Sequence, residues 1–144
     1  MMTVAIARVT TDVLDVAEHL AAVDDLACGA VVTFVGRIRD HDPGAQGEVT
    51  GIEYSAHPDA SRTIEELAAR AAASDVVGGV ARVAVSHRIG ALAVGDLALV
   101  ACVATPHRAD AYEVSRVLVE QIKAELPIWK RQHEVDGRTH WVGL

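Results

Sequence analysis

Short apolar blocks run along this chain, and their period switches between two and about 3.6 residues several times. Residues 3–9 (TVAIARV) alternate weakly and predict a strand. Thr11 or Asp12 caps a helix predicted to reach Val23, with Val13, Val16, Ala17 and Leu20 on its inner face. Residues 29–39 (GAVVTFVGRIR) are β-branched and nearly free of breakers, a strong strand signal. Residues 40–48 (DHDPGAQGE) carry Gly, Pro and Asp and predict a mobile loop. A strand follows over 49–57, and Pro58 and Asp59 open a helix to about Ser74 with Ile64, Leu67, Ala68 and Ala71 inward. Gly78-Gly79 predicts a turn. Residues 80–87 predict a half-buried strand, 89–96 a connection, and 97–104 (LALVACVA) a strand buried in a sheet. Thr105 as N-cap and Pro106 as first residue start a third helix, whose stripe is Ala111, Val114, Leu118 and Ile122. Pro127 stops that helix. Residues 129–135 and 138–142, joined by Asp136-Gly137, predict a hairpin. This order is an α+β pattern with hairpin neighbours, not the strict alternation of a doubly wound sheet.

A length of 144 residues with 51% hydrophobic content suits one domain with a sound core. The net charge of -7, from 20 acidic against 13 basic residues, argues against nucleic acid or an anionic membrane as main partner. Basic clusters in such a chain read as local anion sites. Cys28 and Cys102 lie apart in apolar runs and read as buried free thiols. No apolar run approaches the ~20 residues of a membrane span, and residues 1–9 lack a secretory leader's apolar core. A soluble cytoplasmic protein is expected.

The third helix concentrates the candidate chemistry. His107 and Arg108 are expected in its first turn, where free N–H groups and the macrodipole favour anions. Lys123 stands in its last turn. Lys130 and Arg131 follow the Pro127 break, with Trp129 as an expected anchor, so two amines can meet near one point. Arg37 and Arg39 end the second strand, two residues apart and so on one face if the strand continues. Arginine forks suit phosphate, and a desolvated lysine can act in acid–base or nucleophilic chemistry. His107 and Lys123 are sixteen residues apart, roughly 24 Å along one helix. They therefore form two sites, or one site built across a dimer.

Other constellations are weaker. His41, Asp42 and His57 fit no standard zinc spacing, so no metal centre is expected. His87 reads as a hydrogen-bonded histidine at a strand end. His133 and His140 face each other across the hairpin in a structural role. Ser61, Ser86 and Ser115 lack a nucleophile-elbow context. There is no GxGxxG or Walker A motif, and no cofactor is expected.

Five stretches, in this order and spacing, carry a resemblance: GAVVTFVGRIRDHD, SHRIG with ALAVGD, TPHRADAYE, IKAELPIWKRQ and the late HWV. Across residues 29–142 the chain resembles the large, catalytic subunit of molybdopterin synthase. The resemblance implies a single-domain α/β hammerhead-type fold with an additional antiparallel sheet, and a homodimer at the centre of a heterotetramer. It implies a small ubiquitin-like partner whose Gly-Gly C-terminus carries a thiocarboxylate. It implies that two sulfurs pass from that tail to cyclic pyranopterin monophosphate, giving molybdopterin. By position, Lys123 and Lys130 match the family's active-site lysines. Arg37, Ile38, Arg39, His107, Arg108, Lys130, Arg131 and Gln132 match its substrate-contacting segments. Gln132 stands where an acidic residue is common, and Pro106 where a small one often is. Two other readings remain: a scaffold that binds a ubiquitin-like partner without turnover, and a binder of small phosphorylated metabolites.

Overall fold

The structure is a computed structural model that describes residues 3–41, 48–134, 137 and 139–143. The elements run β1 (Val4–Thr10), α1 (Val16–Ala22), β2 (Ala30–Arg37), β3 (Val49–Ala56), α2 (Ala60–Ala72), β4 (Arg82–Arg88), β5 (Gly90–Ala93), β6 (Leu97–Thr105), α3 (Arg108–Glu125), β7 (Ile128–Glu134) and β8 (Thr139–Gly143). They build two four-stranded sheets, ordered β1-β4-β6-β2 and β5-β3-β7-β8. The first is mixed, with β1 parallel to β4 and both other pairs antiparallel. The second is antiparallel throughout. The α+β class and the additional antiparallel sheet are thus as expected.

Helices α2 and α3 cover one face of the first sheet. Ile64, Leu67, Leu118 and Ile122 are at most 1% exposed there, among Val83, Val85, Ala101 and Val103. Burying each large side chain contributes roughly 1.5–3 kcal/mol. The inward faces predicted for α2 and α3 hold. Helix α1 covers the opposite face, with Leu14 and Val23 beside Ala84, Val100 and Cys102. Strand β4 is therefore buried on both sides, not half-buried, because alternation reports a wet face only where nothing covers it.

Several boundaries differ from expectation. Asp15, not Thr11 or Asp12, caps α1, its carboxylate accepting from the N–H groups of Ala17 and Glu18 at 2.9 and 3.3 Å. That start turns the helix, leaving Val13 and Leu20 exposed and His19 buried. His19 is held by the Asp15 carbonyl and the Ser86 hydroxyl, each at 2.7 Å, so Ser86 is structural. Residues 89–96, expected as a connection, contain β5. A Cβ on Gly51 would lie 2.8 Å from the Leu92 carbonyl, so glycine lets β5 approach β3. Helix α3 begins at Arg108 with His107 as N-cap, while Thr105 ends β6 and its hydroxyl donates to the His107 carbonyl at 2.7 Å. Its other end is as predicted, with Leu126 extended before Pro127. Strands β7 and β8 pair as the expected hairpin, but Gln132 faces His140 and His133 faces Thr139. Cys102 is buried as expected; Cys28 is only partly so, and both thiols are free. The loop expected over 40–48 lies largely outside the described residues, as do Val135, Asp136 and Arg138 of the hairpin.

Candidate active site

The cleft that gathers the cationic side chains opens where the two sheets meet the C-terminal end of α3. It holds about 250 Å³. Its basic residues are Arg37, Arg39, Lys123 and Lys130, and Ile38, Val49, Ile52 and Tyr54 supply the rest of the lining. Six of these eight come from two stretches, one in each sheet region. Arg37 ends β2, Ile38 and Arg39 follow just beyond it, and Val49, Ile52 and Tyr54 belong to β3.

Each cation is placed by local structure. Strand β2 loses register between Gly36 and Arg37 and does not continue to Arg39. Backbone bonds hold Ile38 instead: its N–H donates to the Asp96 carbonyl at 3.0 Å and its carbonyl accepts from Gly95 N–H at 2.7 Å. Ile38 is 3% exposed, so a buried apolar residue pins the two exposed arginines beside it. Gly95 closes this turn at φ 93, a conformation that favours glycine. Lys123 projects from the last turn of α3. Lys130 lies on β7 directly opposite Tyr54 on β3, so both point to the cleft face.

Four cations in one cleft of an acidic chain make an anion site. Burial of its ammonium end pushes the Lys123 pKa below the ordinary lysine range; Lys130 pushes the same way, Glu120 opposes, and Arg39 adds to the lowering. The residue as a whole remains exposed, so the loss of hydration is partial. A lysine in such surroundings releases its proton more readily than one in water.

Strand alternation divides the predicted segment from Lys130 to Gln132. Lys130 faces the cleft, whereas Arg131 points to the far side of its sheet. Its guanidinium carbon lies 5.7 Å from the Trp141 ring centroid, and its Nη2 donates to the Thr139 hydroxyl at 3.3 Å. Gln132 shares the Lys130 face, pairs with Ile52 and is fully buried. Its amide nitrogen and oxygen have no partner among the described residues. Trp129 is 46% exposed and meets His57 edge-on, so it is no core anchor. His107 and Arg108 are absent from the cleft lining. They stand exposed at the opposite end of α3, beside Gly78 and Pro106. No group of three metal-ligating side chains gathers among the described residues, and Asp42 lies outside them.

Sequence reasoning missed Val49, Ile52 and Tyr54. The spacing of Ile52 and Tyr54 marks one strand face, but only the pairing of β3 with β7 turns that face toward the lysines.

Comparison with known proteins gives consistent matches. The family model described as MoaE protein matches residues 9–125. The chain is similar to molybdopterin synthase catalytic subunit 1 of Mycobacterium tuberculosis, 42% identical over 137 residues, covering 94% of this chain and 89% of that one. It is also similar to the molybdopterin synthase catalytic subunit of Halalkalibacterium halodurans, 43% identical over 115 residues, with 80% and 70% covered. Among solved structures, molybdopterin synthase from Staphylococcus aureus aligns with a TM-score of 0.84 at 27% identity, covering 96% of this chain and 97% of that one.

Proposed function

The chain belongs to the MoaE protein family, and on that premise we propose that it is the catalytic subunit of a molybdopterin synthase. It converts cyclic pyranopterin monophosphate to molybdopterin with sulfur from the C-terminal thiocarboxylate of a small ubiquitin-like subunit. The observation that carries the reading is the cleft of Arg37, Arg39, Lys123 and Lys130. Both reactants are anionic, a cyclic phosphate and a thiocarboxylate, and four cations around about 250 Å³ suit them.

The cleft's parts take distinct roles in this reading. Arg37 and Arg39, fixed through Ile38, hold the phosphate. Lys123, with its lowered pKa, attracts the thiocarboxylate and then exchanges protons as oxygen gives way to sulfur. Lys130 balances charge on the opposite wall. Each sulfur transfer leaves the tail as a carboxylate, so water enters the balance and protons move at every step. Gln132 adds a neutral amide behind Lys130 where an acid is common, so the cleft keeps its positive balance. Arg131 supports the sheet beneath it.

His107 and Arg108 reach a cleft only from a second copy of the chain. Arg108 and Lys123 delimit most of an 18-residue helix, roughly 22 Å of axial rise. A homodimer that presents the α3 start of one copy to the cleft of the other completes the site. With one small subunit at each cleft, the assembly is a heterotetramer. One domain spans residues 1–144. None of the described helices is long and apolar enough to cross a membrane, and a cytoplasmic enzyme is the reading adopted.

Mixing the chain with a thiocarboxylated small subunit and cyclic pyranopterin monophosphate tests this. Dithiolene formation is expected. Stable binding of the small subunit without product would favour a scaffold, and affinity for simple phosphoesters without any partner would favour a metabolite binder.

A further inference from the structure

Residues 86–96 (SHRIGALAVGD) supply no side chain to the cleft lining, yet they tie its two walls together. The junction is Asp96. Its Oδ2 accepts from the Ala93 N–H at 2.9 Å, and its own N–H donates to the Ala93 carbonyl at 3.0 Å. Ala93 ends β5 and pairs with Gly51 of β3. This side of Asp96 therefore grips the sheet that supplies Val49, Ile52 and Tyr54. The Asp96 carbonyl accepts from the Ile38 N–H at 3.0 Å, and so grips the segment that supplies Arg37 and Arg39. Arg37 also lies over the same turn, since a Cβ on Gly95 would stand 3.7 Å from its Nη2.

The carboxylate is aimed from behind. Arg88, which ends β4, brings its Nη1 to 3.5 Å from the same Oδ2. Arg88 is fixed in turn, because its carbonyl accepts from Nδ1 of the buried His87 at 2.8 Å. His87 is thus the hydrogen-bonded histidine expected at a strand end. The Asp96 side chain is 40% exposed, and an ion pair so placed adds little to stability. Charge does not favour an aspartate here either, because a carboxylate beside Arg37 weakens the field that attracts an anion. What Asp96 contributes is geometry: one residue bonds to both walls of the cleft.

We propose that Asp96 is a positioning residue: holding the Ala93 N–H with its carboxylate and the Ile38 N–H with its carbonyl, it sets where Arg37 and Arg39 stand against the β3 wall. The proposal rests on the reading of these two arginines as the phosphate-holding groups.

Geometry and charge predict opposite signs for one substitution. Asp96→Ala removes the side-chain acceptor and the negative charge together, whereas Asp96→Asn removes the charge and keeps an oxygen that accepts from Ala93 and Arg88. Calorimetric titration of each folded chain with inorganic phosphate compares them. Asp96→Ala is expected to bind phosphate about tenfold more weakly, as misplaced arginines would. Asp96→Asn is expected to stay within about twofold of native, on the tighter side, the scale of one screened charge. With Arg37 and Arg39 both replaced by alanine, Asp96→Ala is expected to change nothing further, since its effect acts through them. Equal or tighter binding in Asp96→Ala, or the same loss in Asp96→Asn, would overturn the proposal. Hydrogen exchange at the Ile38 amide supplies a readout that needs no ligand. Relative to the amides of β6, its protection should fall at least about tenfold in Asp96→Ala and persist in Asp96→Asn. Unchanged protection in the alanine variant also overturns the proposal. A native chain that binds no phosphate would sink the anion reading of the cleft, while the Ile38 amide still decides whether Asp96 sets the arginine segment.

Discussion

At the residue scale, the central fact is that ordinary groups acquire unusual proton affinities by placement. Lys123 is lowered by partial burial and by Lys130, and His87 by nearly complete burial. The His87 shift has a stability consequence. Its pKa falls from 6.5 to about 4 on folding. The unfolded chain therefore takes up a proton at that ring first as pH drops. The stability His87 confers is complete above about pH 6.5 and is lost as pH falls through about 4, a loss on the order of 3 kcal/mol. Thermal unfolding followed from pH 7 to 4 should show it, and His87→Phe should flatten that part of the curve.

At the element scale, the site depends on how strands and turns aim their residues. The turn at residues 93–96 fixes Ile38 and thereby two arginines. Gly95→Ala places a Cβ on a backbone at φ 93 and should cost about 1–3 kcal/mol. Weaker binding of inorganic phosphate should accompany the lower Tm. The stripe of α3 and the sites of Lys123 and Lys130 around Pro127 were legible because helical period and proline geometry are local. The inner face of α1 was not, because Asp15 outcompetes Thr11 and Asp12 as a cap and the later start rotates the helix. Strand β5 was hidden in a four-residue segment whose partner lies far along the chain. The split between Lys130 and Arg131 follows from period-two alternation, but the face that meets the cleft depends on β3 pairing, which sequence alone does not specify.

At the scale of the whole molecule, one chain presents two basic clusters at opposite ends of one helix. The resemblance named both clusters, and the helix rise already showed that they cannot share a small ligand within one copy. The structure places Lys123 in the cleft and leaves His107 and Arg108 off its wall. If a second copy supplies them, Arg108→Ala and Lys123→Ala should each lose most turnover alone. An equimolar mixture that exchanges subunits should regain up to about a quarter of native activity, since random pairing restores one intact cleft in half of the dimers. Turnover in the mixture, against each variant alone, measures this; no recovery despite demonstrated exchange would refute the shared site.

The most direct test of the central claim is a single-turnover experiment on Lys123→Ala beside the native chain. Both are mixed with thiocarboxylated small subunit and cyclic pyranopterin monophosphate, and dithiolene formation is followed. The account predicts product from the native chain and a rate at least about 100-fold lower from the variant, the scale of a lost acid–base group, with binding of the small subunit retained. Equal rates would contradict it, because the amine at the centre of the cleft would then have no part in the transfer of sulfur.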